Sequence, residues 1–165
     1  MEPKNKVIVI TGGSGGIGSS MARAFLREGA EAVVISDLDS ASVKACADTL
    51  GCDWRVCDVT DESQVQSLVD YVISKYGRVD VYCSNAGAAG SGSGVLTDAS
   101  NEIWQRQWDL HVMAHIYASR ALLPSMIDRG EGYFLITSSA AGLLAATGSG
   151  LSLIHISEPT RLQDI

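Results

Sequence analysis

The chain has 165 residues, of which 46% are hydrophobic and 19% are charged, and its formal net charge is −7. This composition predicts a globular domain that is long enough to bury a core, because disordered chains combine low hydrophobicity with high charge. The negative charge and the lack of clustered Lys and Arg argue against nucleic acid as a partner.

Hydropathy along the chain predicts neither a signal peptide nor a membrane helix. The first apolar run, residues 7–10, is too short for the core of a signal peptide. The apolar region 140–156 is interrupted by glycines and serines, so it lacks the uniform apolarity of a membrane span. We therefore expect a cytoplasmic protein that has no membrane partner.

The cysteines form no C-x-x-C pair and have no histidine at the spacing of metal ligands. They predict free, buried thiols in a reducing compartment and no metal site. The residues concerned are Cys46, Cys52, Cys57 and Cys83.

Short runs of β-branched residues alternate with longer amphipathic runs along the chain. The first kind predicts buried strands, and the second kind predicts helices. The predicted strands are residues 7–11, 32–36, 54–57, 79–84 and 132–137. The predicted helices are residues 16–28, 41–50, 61–76 and 101–129. This alternation predicts an α/β fold of the Rossmann type, in which a doubly wound parallel sheet is covered by helices on both faces.

Two helices carry more specific signals. Asp61 and Gln64 predict a capping box at the start of the third helix. The apolar face of that helix comprises Val65, Leu68, Val69, Val72 and Tyr76. The apolar face of the first helix comprises Ile17, Met21, Ala24 and Phe25.

The first strand leads directly into the glycine-rich turn Thr11-Gly-Gly-Ser-Gly-Gly-Ile-Gly18. Glycines here allow backbone N–H groups to approach a pyrophosphate at a helix N-terminus. The string fits G-x-G-x-x-G through Gly13, Gly15 and Gly18, and it fits T-G-x-x-x-G-x-G through Gly12, Gly16 and Gly18. Taken alone, either match is equally consistent with a tight turn.

An acidic residue follows at the distance expected for a dinucleotide site. Asp37 ends the second strand, about twenty residues after the last glycine of the turn. A carboxylate at this place accepts hydrogen bonds from the ribose hydroxyls of NAD and repels the 2′-phosphate of NADP. The alternative is an Asp that caps a helix or a turn. The pattern favours NAD, with NADP as the less favoured cofactor.

Three further short motifs come at or directly after the ends of predicted strands, and all three resemble motifs of the same protein family. They are Asp58-Val59, Asn85-Ala86-Gly87 and Thr137-Ser-Ser-Ala-Ala-Gly142. Together with the glycine-rich turn, they resemble the short-chain dehydrogenase/reductase family over about residues 6–150. The resemblance implies an NAD-dependent oxidoreductase that acts on a small-molecule alcohol or ketone and, as a full-length parent, forms a homo-oligomer. The cofactor-binding residues it implies are Gly12, Ser14, Gly16, Ile17, Gly18, Asp37, Asp58, Val59, Asn85, Ala86 and Gly87.

The resemblance also implies a catalytic serine and a helical asparagine. Ser139 matches the serine, whose hydroxyl would hydrogen-bond the substrate oxygen. His111 stands at the position of the asparagine, where an imidazole could hold a relay water or could simply be packed.

The catalytic Tyr and Lys of the family are not found where the resemblance places them. Positions 152 and 156 hold Ser152 and Ile156, which cannot supply a phenol acid/base with a nearby cation. A Y-x-x-x-K string does occur at Tyr71 and Lys75, but it precedes the N-A-G motif, so we interpret Tyr71 as a surface residue. The chain as given is therefore expected to be inactive.

Residues 151–161 resemble the translation of a transposon-end sequencing adapter. We expect residues 1–150 to form an N-terminal fragment of the family's NAD-binding domain and residues 151–165 to be a non-native tail. The fifth strand would then be an exposed sheet edge, and apolar residues of the long helix would lack cover. Two alternatives stay open: a non-catalytic nucleotide-binding module, and a chain that does not fold stably.

Overall fold

The computed structural model describes residues 1–88 and 99–139. The strands are β1 (Val7–Thr11), β2 (Ala32–Asp37), β3 (Asp53–Val56), β4 (Val81–Ser84) and β5 (Tyr133–Ile136). The helices are α1 (Gly16–Arg27), α2 (Ser40–Leu50), α3 (Glu62–Tyr76), α4 (Asn101–Trp108) and α5 (Ala114–Arg129). Most of the glycine-serine loop after β4 lies outside the described residues, as do Ser152, Ile156 and the expected tail.

The five strands form one parallel sheet in the order β3-β2-β1-β4-β5. The chain builds outwards from β1 to β3, then crosses to the other side of β1 and continues through β4 to β5. The order therefore reverses between β1 and β4. Doubly wound sheets bind ligands at this switch point, beside the carboxyl ends of the strands, and the predicted fold class is confirmed.

Alternate residues of β1 face the two layers of the core, as the period of a strand requires. Ile8 and Ile10 pack with residues of α1 and α2, including Ala22 and Val43. Val7 and Val9 pack on the other face with residues of α3 and α5. Because residues 7–10 of β1 are all fully buried, this run is continuously apolar rather than alternating.

Glycines end three of the helices as predicted, because they adopt the left-handed conformation that L side chains disfavour. Gly51 follows α2 with φ of 68°, Gly77 follows α3 with φ of 80°, and Gly29 lies just after α1 with φ of 81°.

The predicted apolar face of α1 is wrong at its first residue. Ile17 is 61% exposed, whereas Gly18 and Ala22 are buried against the sheet. Met21 and Phe25 pack against the core as predicted. The small residues allow the start of α1 to approach β1 closely, and this rotates Ile17 outwards.

The predicted capping box of α3 forms only in part. The Asp61 carboxylate accepts hydrogen bonds from the backbone N–H groups of Ser63 and Gln64. The Gln64 side chain does not return to the N–H of Asp61; its Oε1 accepts from the N–H of Asp58 at 2.9 Å. The glutamine therefore ties the end of β3 to α3.

The predicted helix over residues 101–129 is interrupted. A π-turn, Asp109–Met113, separates α4 from α5 and contains His111. Such turns widen a helix by one residue and occur often at functional sites. The sequence carries no glycine or proline at the interruption that could have predicted it.

The last strand of the described sheet is poorly covered. Leu135 and Ile136 of β5 are exposed, as are Leu123 and Ile127 on α5. Among the described strands β5 lies at the edge of the sheet, and the exposure of these side chains on β5 and α5 agrees with the expectation for this part of the chain. Among the described helices, none combines the length and apolarity needed to cross a membrane.

Candidate functional site

Three glycines of the turn between β1 and α1 are required by the fold itself. A Cβ on Gly13 would lie 2.5 Å from Cβ of Ile35, and a Cβ on Gly18 would lie 2.3 Å from the carbonyl oxygen of Gly12. Gly12 has φ of 62°, and its Cβ would lie 2.9 Å from Cα of Ala86. Any side chain at these positions would displace backbone or core atoms.

The other two glycines of the turn are not required by the fold. A Cβ on Gly16 would meet no atom within 4 Å, and one on Gly15 would meet only the Gly12 oxygen at 3.4 Å. Within the described chain, no side-chain cap satisfies the N-terminus of α1, which begins at Gly16, and its first turn has no acidic residue. An open glycine cradle before an uncapped helix N-terminus fits an anion such as a pyrophosphate.

Asp37 is held against the glycine-rich turn. The backbone N–H of Ser14 donates to Asp37 Oδ2 at 3.1 Å, and the Ser14 hydroxyl donates to the same oxygen at 2.5 Å. The other oxygen, Oδ1, accepts from the N–H of Leu38 at 2.8 Å. The alternative of a helix cap is excluded here, because the N-cap of α2 is Asp39, whereas the hydrogen bonds from Ser14 are those of an Asp that holds a turn. The carboxylate is therefore fixed at the carboxyl end of β2, facing the turn.

Asp58 and Val59 follow β3 on the same edge of the sheet. Asp58 Oδ1 accepts from the N–H of Thr60 at 2.9 Å and from its hydroxyl at 2.7 Å, which forms a local turn. Val59 is buried in the core beside α3. The Asp58 carboxylate thus has a structural role that is independent of any ligand.

Asn85 connects the three strands nearest the switch point. Its Nδ2 donates to the carbonyl oxygens of Thr11 at 2.9 Å and Gly12 at 3.3 Å, and its Oδ1 accepts from the hydroxyl of Thr137 at 2.9 Å. The N–H groups of Asn85 and Ala86 both donate to Thr11 Oγ1. The N-A-G motif therefore locks the ends of β1, β4 and β5 together.

His111 contacts the backbone just after β4. Its Nε2 lies 3.1 Å from the carbonyl oxygen of Ala88. Its Cε1 would lie 3.1 Å from a Cβ on Gly87, so the ring covers the glycine of the N-A-G motif. A protonated Nε2 donates to this carbonyl, which gives His111 a role in holding the segment.

Ser139 lies near the carboxyl end of β5, the third residue after Ile136, and it is exposed. The strand is anchored there, because the N–H of Thr137 donates to the carbonyl oxygen of Ser84 at 3.1 Å. The structure therefore places Ser139 at the same sheet edge as the glycine-rich turn and the N-A-G motif.

The sequence reasoning missed His115, on the first turn of α5. Its Nδ1 lies 2.6 Å from Oγ of Ser84, the last residue of β4. Burial lowers the pKa of this imidazole, and the nearby His111 lowers it further. His115 is therefore neutral at neutral pH. A histidine four residues after His111 was the available signal, but the expected helix gave no reason to connect it to β4.

The Y-x-x-x-K string lies beside the start of β3, at the amino ends of the strands, whereas the glycine-rich turn lies at their carboxyl ends. Tyr71 OH and Lys75 Nζ both donate to Asp53 Oδ2, at 2.7 Å and 2.6 Å. The Arg55 guanidinium lies 3.5 Å from the centre of the Tyr71 ring. Tyr71 is half-buried by these contacts, so its interpretation as a surface residue is wrong in that respect. The hydrogen bond that Lys75 donates to Asp53 raises the pKa of Lys75.

The cysteines are free, and two of them are buried. Burial raises the pKa of the Cys57 and Cys83 thiols to about 12 each. Cys46 and Cys52 are only partly buried, so the prediction of four buried thiols is wrong for these two. Within residues 1–88 and 99–139, no group of three or more His, Cys, Asp or Glu side chains could hold a metal ion.

A parallel sheet with a glycine-rich turn at its switch point defines a Rossmann-type α/β domain. Residues 6–150 match the family model described as short chain dehydrogenase. The chain belongs to this family.

Two curated relatives and one solved structure illustrate the match. The chain is 32% identical to (+)-cis,cis-nepetalactol synthase of Nepeta racemosa, over 88% of this chain and 54% of that protein. It is 34% identical to the mitochondrial (−)-isopiperitenol/(−)-carveol dehydrogenase of Mentha piperita, over 82% of this chain and 52% of that protein. The chain thus spans about half the length of these relatives.

The solved structure is a short chain dehydrogenase/reductase of Burkholderia phymatum in complex with NAD. It superposes with a TM-score of 0.87 at 29% identity, covering 95% of this chain and 58% of that chain.

Proposed function

We propose that this chain is the nucleotide-binding part of an NAD-dependent short-chain oxidoreductase, in which hydride passes between nicotinamide and an alcohol or ketone. The observation that carries the proposal is the pairing of Asp37 with Ser14, which fixes a carboxylate beside the glycine-rich turn. The family match and the NAD complex of a structural neighbour support it.

The pyrophosphate would lie on the open part of the turn. Gly15 and Gly16 leave room for it, and the first N–H groups of α1, which no side chain caps, are free of partners within their own helix. Oriented amides and the helix dipole together favour a doubly negative group at this position. NAD, when bound, supplies the carbon that accepts or donates hydride.

Asp37 favours NAD over NADP. It would accept hydrogen bonds from the ribose hydroxyls, whereas a 2′-phosphate would bring like charge to the same place. Two unit charges about 4 Å apart repel by about 1 kcal/mol in water and about 4 kcal/mol near a protein surface. The turn itself contains no Lys or Arg that could offset this repulsion.

Ser139 would hydrogen-bond the substrate oxygen in the parent enzyme. His111 stands at the position of the family's asparagine, where an imidazole could hold a relay water, but its contact with the Ala88 carbonyl supports a holding role. Because Ser152 and Ile156 replace the Tyr and Lys of the family, we propose that this chain itself does not turn over substrate. The same two residues favour the second candidate function, a module that binds nucleotide without catalysis.

The family match ends at residue 150, which supports a domain over residues 1–150 and a tail over residues 151–165. A cytoplasmic location and a homo-oligomeric parent stay predictions.

Titration of the purified chain with NADH and with NADPH tests the proposal. Binding of NADH that is at least tenfold tighter than that of NADPH is expected, which corresponds to about 1.4 kcal/mol. Tighter binding of NADPH would reject the role of Asp37, and binding of neither nucleotide would reject the proposed function.

A further inference from the structure

The Ser84–His115 contact joins a helix to the end of a central strand. His115 Nδ1 and Ser84 Oγ are 2.6 Å apart, and Ser84 is almost fully buried. Without His115, the buried hydroxyl of Ser84 would lose its hydrogen bond with α5. Leaving a buried polar group without a partner costs more free energy than a hydrogen bond contributes to stability.

Two histidines contact the two ends of residues 84–88, the segment that contains the N-A-G motif. His115 contacts Ser84 at the start of this segment, and His111 contacts the carbonyl oxygen of Ala88 at its end. The two imidazoles lie on the π-turn and the first turn of α5, so one piece of helix holds both ends of the segment.

A displacement of this segment would reach the glycine-rich turn directly. The N–H groups of Asn85 and Ala86 donate to Thr11 Oγ1, at 3.0 Å and 3.1 Å. Asn85 Nδ2 also donates to the carbonyl oxygen of Gly12, and Cα of Ala86 lies 2.9 Å from where a Cβ on Gly12 would be. These hydrogen bonds therefore hold the end of β4 against the start of the turn.

We propose that His115 is a positioning residue for the nucleotide site, and that it acts through Ser84 to fix the N-A-G segment against the glycine-rich turn. This inference rests on the proposed function, because it concerns the affinity for NAD(H). In this role His115 would act without contacting the nucleotide itself. A neutral imidazole suits this role, because it can form one hydrogen bond with the Ser84 hydroxyl without placing a charge in the interior.

The test is a double-mutant cycle read by NADH affinity. NADH is titrated into the full chain, His115→Ala, Ser84→Ala and the double variant, with Ile116→Ala as a control on the exposed side of the same turn. His115→Asn is the conservative variant, because its amide places a hydrogen-bonding atom near the position of Nδ1. Thermal unfolding of each variant shows that it is folded.

His115→Ala is expected to weaken NADH binding about three- to tenfold, the range that one neutral hydrogen bond supplies. Ser84→Ala should weaken it to a similar extent, and the double variant should be no weaker than either single one, because the two residues share one interaction. His115→Asn should restore most of the affinity, and Ile116→Ala should leave it unchanged.

Three results would overturn the inference while leaving the proposed function intact. One is an unchanged NADH affinity in folded His115→Ala, and another is additive losses from His115→Ala and Ser84→Ala. Failure of His115→Asn to recover affinity would also overturn it, because packing alone would then explain the loss. If the unmodified chain binds no NADH, the proposed function and the inference fail together.

Discussion

Ser14 donates two hydrogen bonds to a single oxygen of Asp37, one from its backbone and one from its hydroxyl. This pairing joins the glycine-rich turn to the end of β2 and fixes the carboxylate before any ligand arrives. Preorganised acceptors lose little entropy on binding. The relationship connects two features of the proposed site, which are the proposed cradle for the pyrophosphate and the proposed acid for the ribose.

Mutation of the glycines in the turn should have two kinds of effect, loss of NADH binding at the open positions and loss of stability at the packed ones. Gly16→Asp should abolish NADH binding, because a carboxylate would occupy the place of the pyrophosphate. It should not lower stability, since the position is open and an acidic residue in the first turn of α1 is favourable by about 0.3–1 kcal/mol. NADH titration and thermal unfolding of the same sample measure both effects.

Gly13→Ala is the matched control, because its Cβ would lie 2.5 Å from Cβ of Ile35. It should destabilise the fold by about 1–3 kcal/mol, as overpacked cores do. A Gly16→Asp chain that unfolds as readily as Gly13→Ala would show that Gly16 serves the fold and that the open cradle is not a ligand site.

The chain as given should show no dehydrogenase turnover. An alcohol must lose a proton as hydride leaves, and a positioned base supplies about two to four orders of magnitude in rate. Neither Ser152 nor Ile156 can act as that base at neutral pH. The assay uses NAD with a panel of secondary alcohols and follows NADH absorbance. NADH formation that disappears in Gly16→Asp would contradict the prediction, because it would show a real active site.

The free energy of unfolding should decrease in mild acid because of the buried imidazole of His115. Burial lowers its pKa below the ordinary value of 6.5, so the unfolded chain takes up a proton in a range where the folded chain does not. Stability is then fully present above about pH 6.5 and declines as the pH falls through the folded pKa.

Urea unfolding at pH 7.5 and at pH 5.5 measures this effect in the full chain and in His115→Asn. The variant should lose less stability between the two pH values than the full chain. The carboxylates whose pKa values are lowered, such as Asp39 and Asp61, act at lower pH, because the ordinary value for Asp is 3.8. Equal losses in both proteins would show that His115 is not the titrating group.

The strands could be predicted from sequence because their signals are local. The run Val7–Thr11 is apolar, β-branched and followed by glycines, and these features alone identify a buried strand before a turn. Gly77 marked the end of α3 for the same kind of reason. The glycine-rich turn and Asp37 could be placed in one site because parallel strands end at a common edge.

The parts that could not be predicted depend on contacts between distant residues. The exposure of Ile17 follows from how closely α1 approaches β1, which helical spacing does not report. The π-turn at His111 and the pairing of His115 with Ser84 depend on how α5 lies against β4. Cys46 and Cys52 are partly exposed although their residue type favours burial.

Tyr71→Phe separates the Y-x-x-x-K string from the proposed site. It removes one of the hydrogen bonds to Asp53, so a loss of about 1 kcal/mol in stability is expected. NADH affinity should not change, because Tyr71 and Asp53 lie beside the start of β3, at the amino ends of the strands, whereas the glycine-rich turn lies at the carboxyl ends. Unfolding and NADH titration are compared with those of the unmodified chain. A loss of NADH affinity in a folded Tyr71→Phe chain would contradict this placement.

The most direct test of the central claim is the ratio of NADH to NADPH affinity in Asp37→Asn. The asparagine keeps the size of the side chain and removes its charge, so Ser14 retains an acceptor while a 2′-phosphate is no longer repelled. The unmodified chain is expected to prefer NADH by tenfold or more, about 1.4 kcal/mol, and the variant is expected to lose most of this preference. A ratio that is the same in both proteins would contradict the claim that Asp37 selects the nucleotide.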